Sequence, residues 1–235
     1  MAAIPGPLGT KTNSPKIDPG TLVVARSSTP GPVTKALNDP ENTVRHLLQS
    51  LVRTAHGMTH DFSTKEGTIE AIKCECIYQG IGLNNQIAYV LATTDHETNH
   101  TFKPVKEAYW LKDPDAYLKK HHANYYPYYG RGFVQLTWKS NYEKYGKLLD
   151  ENLVGVPDSA LEPEVALFVL VHGFKNGTFS GRKLSTYVNH DLTDFINARR
   201  CINGLDKAPE IAAIAKQYLA RLELTSSHHS GQALA

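Results

Sequence analysis

Apolar residues recur along this chain at the spacing of one helix face, and that recurrence restricts the fold more than any other feature of the sequence. Val44, Leu47, Leu48, Leu51, Val52 and Ala55 fall at i, i+3, i+4, i+7, i+8 and i+11 after an Asp39-Pro40 start signal. A second helical segment is expected around Ile69 to Tyr78. A third, from Asn85 to about Thr94, places Ile87, Val90, Leu91 and Thr94 along one face. Pro163 and Glu164 suit a first helical turn and open Val165-Ala-Leu-Phe-Val-Leu-Val171, which is apolar all round and reads as a buried central helix. Pro209 opens the last helix, where Ile211, Ile214, Ala215, Tyr218, Leu219 and Leu222 repeat the same spacing. The fold is expected to be mainly α.

The 235 residues are 41% hydrophobic and 20% charged, enough to bury a core without metal or disulfide staples. Three cysteines form neither an even framework nor paired C-x-x-C clusters, so Cys74, Cys76 and Cys201 read as small buried side chains. A net charge of +2 lacks the concentrated positive charge of a nucleic-acid binder. The run from Val165 to Val171 is far shorter than the ~20 residues of a membrane span, so none is expected. The start, Met1-Ala-Ala-Ile-Pro-Gly-Pro, has neither the basic nor the apolar region of a secretory signal, which predicts cytoplasmic synthesis. Residues 1–38, rich in Pro, Gly, Ser and Thr, read as an arm or linker, with Thr21-Leu-Val-Val-Ala25 as a short strand or docking segment. Residues 39–225 form the expected folded domain, a monomer, and 226–235 a flexible tail.

Between the third helix and the buried one, residues 101–132 hold Pro104, Pro114, Pro127 and the cluster Tyr125-Tyr-Pro-Tyr-Tyr129. These rings serve either core packing or stacking on the apolar faces of sugars. Just before them, His96-Glu-Thr-Asn-His100 satisfies H-E-x-x-H, in which two histidines one helical turn apart bind zinc and the glutamate is a base. Thr98, Asn99 and Pro104 are poor material for the helix this requires. A competing reading uses carboxylates alone. Glu97 lies ~20° from Val90 around the helix axis, at the end of the apolar face, and a partly desolvated carboxyl suits general-acid chemistry near neutral pH. Glu107 follows across a proline-containing loop, and two carboxyls in different environments are what glycoside hydrolysis needs.

Tyr128-Tyr-Gly-Arg-Gly-Phe-Val-Gln-Leu-Thr-Trp-Lys-Ser-Asn-Tyr142 resembles the signature of family 19 glycoside hydrolases, the plant-type chitinases and their bacterial and phage lysozyme relatives. Thr94-Asp-His-Glu-Thr98 and Asn197-Ala-Arg-Arg-Cys-Ile-Asn-Gly204 resemble two further blocks of that family, in order, so that the likeness spans roughly residues 43–223. The resemblance implies a lysozyme-like, two-lobed helical domain with a substrate cleft and no cofactor or metal. It implies Glu97 as the general acid, Glu107 as the base that activates water for inversion, and Thr137 as a group that positions this water. Tyr128, Gln135, Trp138, Asn141 and Asn203 would bind substrate. The short interval from Glu97 to Glu107 and the missing cysteine framework are closer to phage endolysins, which implies β-1,4 cleavage of peptidoglycan at the cell wall after release. A chitinase on N-acetylglucosamine polymers is the alternative, followed by the zinc peptidase or a non-catalytic wall-binding or structural module.

Overall fold

The computed structural model describes residues 60–232; the predicted arm and the predicted helix at Val44–Ala55 lie outside these. As expected, the described chain is mainly helical, with a single two-stranded ribbon. It divides into two compact units, one holding Ser63–Phe102 and residues 167–232, the other holding residues 60–62 and Lys103–Ala166.

The first unit is built on two helices in succession. In α1 (Lys65–Gln79) the Thr64 hydroxyl accepts the Gly67 N–H at 3.0 Å, satisfying one of the free donors of the first turn. The helix stops at Gly80, whose φ of 81° is a left-handed conformation that costs glycine little. Helix α2 (Asn84–Glu97) is buried on every side from Gln86 to His96, including four polar or charged side chains beyond its first turn. Three of those side chains are tolerated because they find a partner or a local acceptor: Thr93 and Thr94 donate back to the Tyr89 and Val90 carbonyls, both at 3.0 Å. Asp95 accepts from the Tyr218 hydroxyl at 3.2 Å and pairs with His100 and Lys65.

Three further helices complete this unit: the greater part of α5 (Pro163–Asn176), α6 (Phe195–Ala198) and α7 (Ala208–Gln232). Helix α5 is almost wholly buried from Val165 to Phe174, as its uninterrupted apolar run predicts. Helix α7 packs along α2 and buries Ile211, Ala215, Tyr218 and Leu222, one stripe at helical spacing. Ile214 and Leu219 flank that stripe and are only half-buried.

The second unit carries the ribbon and two more helices, α3 (Pro114–His121) and α4 (Lys139–Leu149). Strands β1 (Val105–Lys106) and β2 (Arg131–Gly132) pair antiparallel, Val105 opposite Gly132 and Lys106 opposite Arg131. Buried Tyr125, Tyr129, Phe133, Leu136, Tyr142 and Tyr145 form the core, so part of the tyrosine cluster serves packing. Its hub is Arg131. The guanidinium lies 3.5 Å from the Tyr129 ring centroid, donates to the Tyr129 carbonyl at 3.1 Å and the Tyr142 hydroxyl at 3.0 Å, and pairs with Asp158 at 2.8 Å. Burial works against an ionised Asp158, but Lys106 and Arg131 outweigh it and hold the carboxyl below the usual carboxylate range. No helix among the described residues is long and apolar enough to cross a membrane.

Candidate functional site

Glu97 ends α2, and its side chain is 6% exposed. The desolvated position predicted from the helix face is therefore occupied by a carboxyl, but not by an isolated one. Arg199, fully buried, donates to Glu97 Oε1 at 2.7 Å and through Nε to the Asp206 carbonyl at 2.9 Å. Arg199 follows α6, whose first turn is capped by Asp194 accepting the Asn197 N–H at 3.0 Å, so a short capped helix places the cation against the carboxyl. Asn203 is tied one turn on, its N–H donating to the Arg199 carbonyl at 3.0 Å, which puts this predicted substrate-binding residue in the same unit as Glu97. The arginine stands within a motif block, yet its partner is invisible in sequence because 102 positions separate the two.

The H-E-x-x-H pentapeptide does not form the helical turn that zinc binding requires. The helix ends at Glu97, and Asn99 and His100 take positive φ values of 49° and 67°, which turns the chain away. His100 is 65% exposed and bound to Asp95. His96 is buried with Nδ1 3.7 Å from Glu210, and burial pushes its pKa down against the pull of the Glu97 carboxylate. Among the described residues no group of His, Cys, Asp and Glu is placed to hold a metal ion.

Glu107 follows β1 in the second unit. Its N–H donates to the Gly130 carbonyl and its Oε2 accepts the Gly130 N–H, both at 3.0 Å, so the residue is clamped to the backbone beside β2. Burial pushes its pKa up to about 9, against the Gly130 hydrogen bond and the Arg131 charge, which both favour the carboxylate. Tyr128, Gln135, Thr137, Trp138 and Asn141 share this unit with Glu107. Gln135 and Trp138 adopt positive φ values of 58° and 74°, so the segment between β2 and α4 is held in a costly conformation.

Hydrogen bonds hold that segment. Gln135 Nε2 donates to the Val105 carbonyl at 2.9 Å, Thr137 Oγ1 donates to the Gln135 carbonyl at 2.8 Å, and Asn141 Nδ2 donates to the Thr137 carbonyl at 2.7 Å. Gln135 thus ties the turn to β1, while its amide oxygen is left to accept. Thr137 gives its one hydroxyl proton to that carbonyl, so its hydroxyl oxygen can act only as an acceptor. The Tyr128 ring lies 5.5 Å from that of Tyr142, and its hydroxyl is 3.5 Å from the Val154 carbonyl. Tyr125 was not singled out from the sequence; its buried ring packs 4.7 Å from Trp138.

No protein-family model matches the chain. It is similar to Endochitinase CHI of Arabidopsis thaliana, 49% identical over 41 residues, which are 17% of this chain and 15% of that one. Two further Arabidopsis thaliana endochitinases match at 32% over 108 residues (45% and 37% of the two chains) and at 30% over 156 residues (60% and 54%). The chain spans no more than about half the length of these curated relatives, from 15% to 54%. What it shares with plant endochitinases is therefore a distant, partial likeness, of the kind that the three motif blocks led us to expect.

Proposed function

We propose that this protein is a chitinase-type glycoside hydrolase that cleaves β-1,4 bonds between N-acetylated sugars by inversion. The observation that carries this reading is that the two carboxyls read as catalytic sit in different, partly dry environments, Glu97 buried against an arginine and Glu107 half-buried in a backbone clamp. The likeness to three endochitinases favours chitin over peptidoglycan, for which the support is the short interval from Glu97 to Glu107 and the missing cysteine framework. Glu97 donates the proton to the glycosidic oxygen, with Arg199 fixing its carboxyl. Glu107 takes the proton of the attacking water, which Thr137 orients by accepting a hydrogen bond. Tyr128, Gln135, Trp138, Asn141 and Asn203 hold sugar or acetamido groups.

One observation favours a second reading with the two roles exchanged. Glu107 keeps its proton up to about pH 9, whereas Glu97 faces a guanidinium. The pH dependence of kcat/KM on chitin oligomers separates the two. A base at Glu107 gives activity that rises with pH toward about 9; an acid there gives activity that falls above it. Proton NMR of the first-formed product tests inversion itself, because a β-linked substrate then yields the α-anomer. Mass spectrometry of products from chitin and from purified peptidoglycan identifies the bond. No hydrolysis of either polymer would reject the proposal.

A further inference from the structure

The chain leaves Glu107 through a tight turn. Its first residue, Ala108, is 1% exposed and takes a φ of 43°, a left-handed conformation uncommon in a residue that carries a Cβ, and the Leu111 N–H closes the turn on the Ala108 carbonyl at 2.8 Å. The two central positions of such a turn usually carry Gly, Pro, Asn, Asp or Ser. Here they carry Tyr109 and Trp110, which are 44% and 50% exposed. Their ring centroids lie 5.3 Å apart with the planes at 84°, so they stand as one edge-to-face corner and not as two scattered apolar side chains. The root of the turn is fixed, because Glu107 is clamped to Gly130 through both its N–H and its Oε2. An anchored, strained backbone that presents two large rings to solvent calls for a ligand to cover them.

We propose that Tyr109 and Trp110 form a stacking platform for an uncharged chain of N-acetylglucosamine units, continuing from Glu107. The inference rests on the reading of Glu107 as catalytic and names what lies beside it. Three residues of chain span at most ~11 Å, so Trp110 stays within reach of an oligosaccharide held at Glu107. Pyranose rings present apolar C–H faces that pack on aromatic rings, and their hydroxyl and acetamido oxygens accept from the phenol O–H and the indole N–H. Charge points to a neutral occupant. Lys106 is held by Asp158 at 2.6 Å, and Lys112 is followed at once by Asp113, so no cluster of one sign stands at the turn to draw an anionic polymer.

The test is binding of the N-acetylglucosamine hexamer to the full chain, read by isothermal titration calorimetry and tryptophan fluorescence in a Glu97→Gln background that keeps the probe intact. Trp110→Ala and Tyr109→Ala should each weaken binding about 10-fold, and Trp110→Phe, which keeps a ring, about 3-fold or less. Trp110 is one of two tryptophans in the chain, so the hexamer should shift the parent's emission, and most of that shift should vanish in Trp110→Phe while binding persists. Both side chains reach solvent, so the variants should keep the parent's Tm within a few degrees. Folded alanine variants that bind the hexamer as tightly as the parent, or a shift that survives in Trp110→Phe, would overturn the inference, as would a parent that does not bind the hexamer or a loss confined to peptidoglycan glycan strands run as a second probe. The two readings fail separately. A wild-type chain that binds the hexamer through these rings but cuts neither polymer rejects the proposed function and leaves the platform standing; one that cuts chitin while the alanine variants bind normally does the reverse.

Discussion

Replacing Arg199 by methionine removes one cation from the interior without opening a large hole, and the structure sets what that should cost. The guanidinium is fully buried, the Glu97 side chain is 6% exposed, and the two meet at 2.7 Å. Stripping one partner from such a pair leaves an uncompensated charge out of water, at ~3–5 kcal/mol. At ~2–4 °C per kcal/mol for a chain of this size, Tm should fall by about 6 to 20 °C. The informative comparison is with Arg199→Met combined with Glu97→Leu. An apolar pair carries no buried charge, so the double variant should be more stable than the Arg199 single variant, although both lose the bond to the Asp206 carbonyl. Differential scanning calorimetry of wild type, Arg199→Met, Glu97→Leu and the double variant at pH 7, repeated in high salt, is the assay; a buried pair is screened little, so the pattern should persist. Costs that simply add, or a single variant as stable as wild type, would refute the reasoning.

Three other expectations follow from the same geometry. Glu97→Gln keeps an acceptor for Arg199 but cannot donate the proton, so turnover of chitin oligomers should fall by at least ~10²-fold with circular dichroism unchanged. Thr137→Val should lower kcat with KM little affected, because the hydroxyl is assigned to the water and not the sugar; a rise in KM alone would contradict this. Glu107 is raised from 4.5 to about 9 in the fold, so its contribution to stability is fully present below about pH 4.5 and is lost as pH rises through about 9. The Tm difference between wild type and Glu107→Gln should therefore move against wild type across that window, and a constant difference would show that Glu107 is not desolvated.

The helical period made α2, α5 and α7 legible because apolar spacing is a local property. What it could not show is how completely α2 is buried. From residues 84–97 alone the helix is amphipathic, with Thr93 and Asp95 on its outer side. The structure buries them because acceptors and donors come to meet them, and Tyr218, which bonds Asp95, is 123 positions away. Helix α3 lies in the proline-rich stretch where no helix is expected, although Asp113 caps it and Pro114 sits in its first turn. Eight mostly polar residues in a proline-rich stretch carry no periodic stripe, so only the capping signal could have found it.

The same distinction between local and distant partners decides the site. The place of Glu97 on its helix is local and was legible; its arginine is not. For Gln135 the motif pointed to a sugar-binding amide, but the left-handed backbone at that residue brings its Nε2 to the Val105 carbonyl, so its donors serve the turn and only its oxygen can serve a ligand. The opposite happened at Glu107. An acidic residue in a loop reads as solvated, and as a base it was expected to be ionised. Yet Glu107 is clamped against Gly130, and the Gly130 hydrogen bond and the Arg131 charge are too weak to offset the lost water. Under the proposed function, the burial of Glu107, a property of tertiary packing, decides which of the two glutamates would give the proton, and the pH limb on which activity appears tests it.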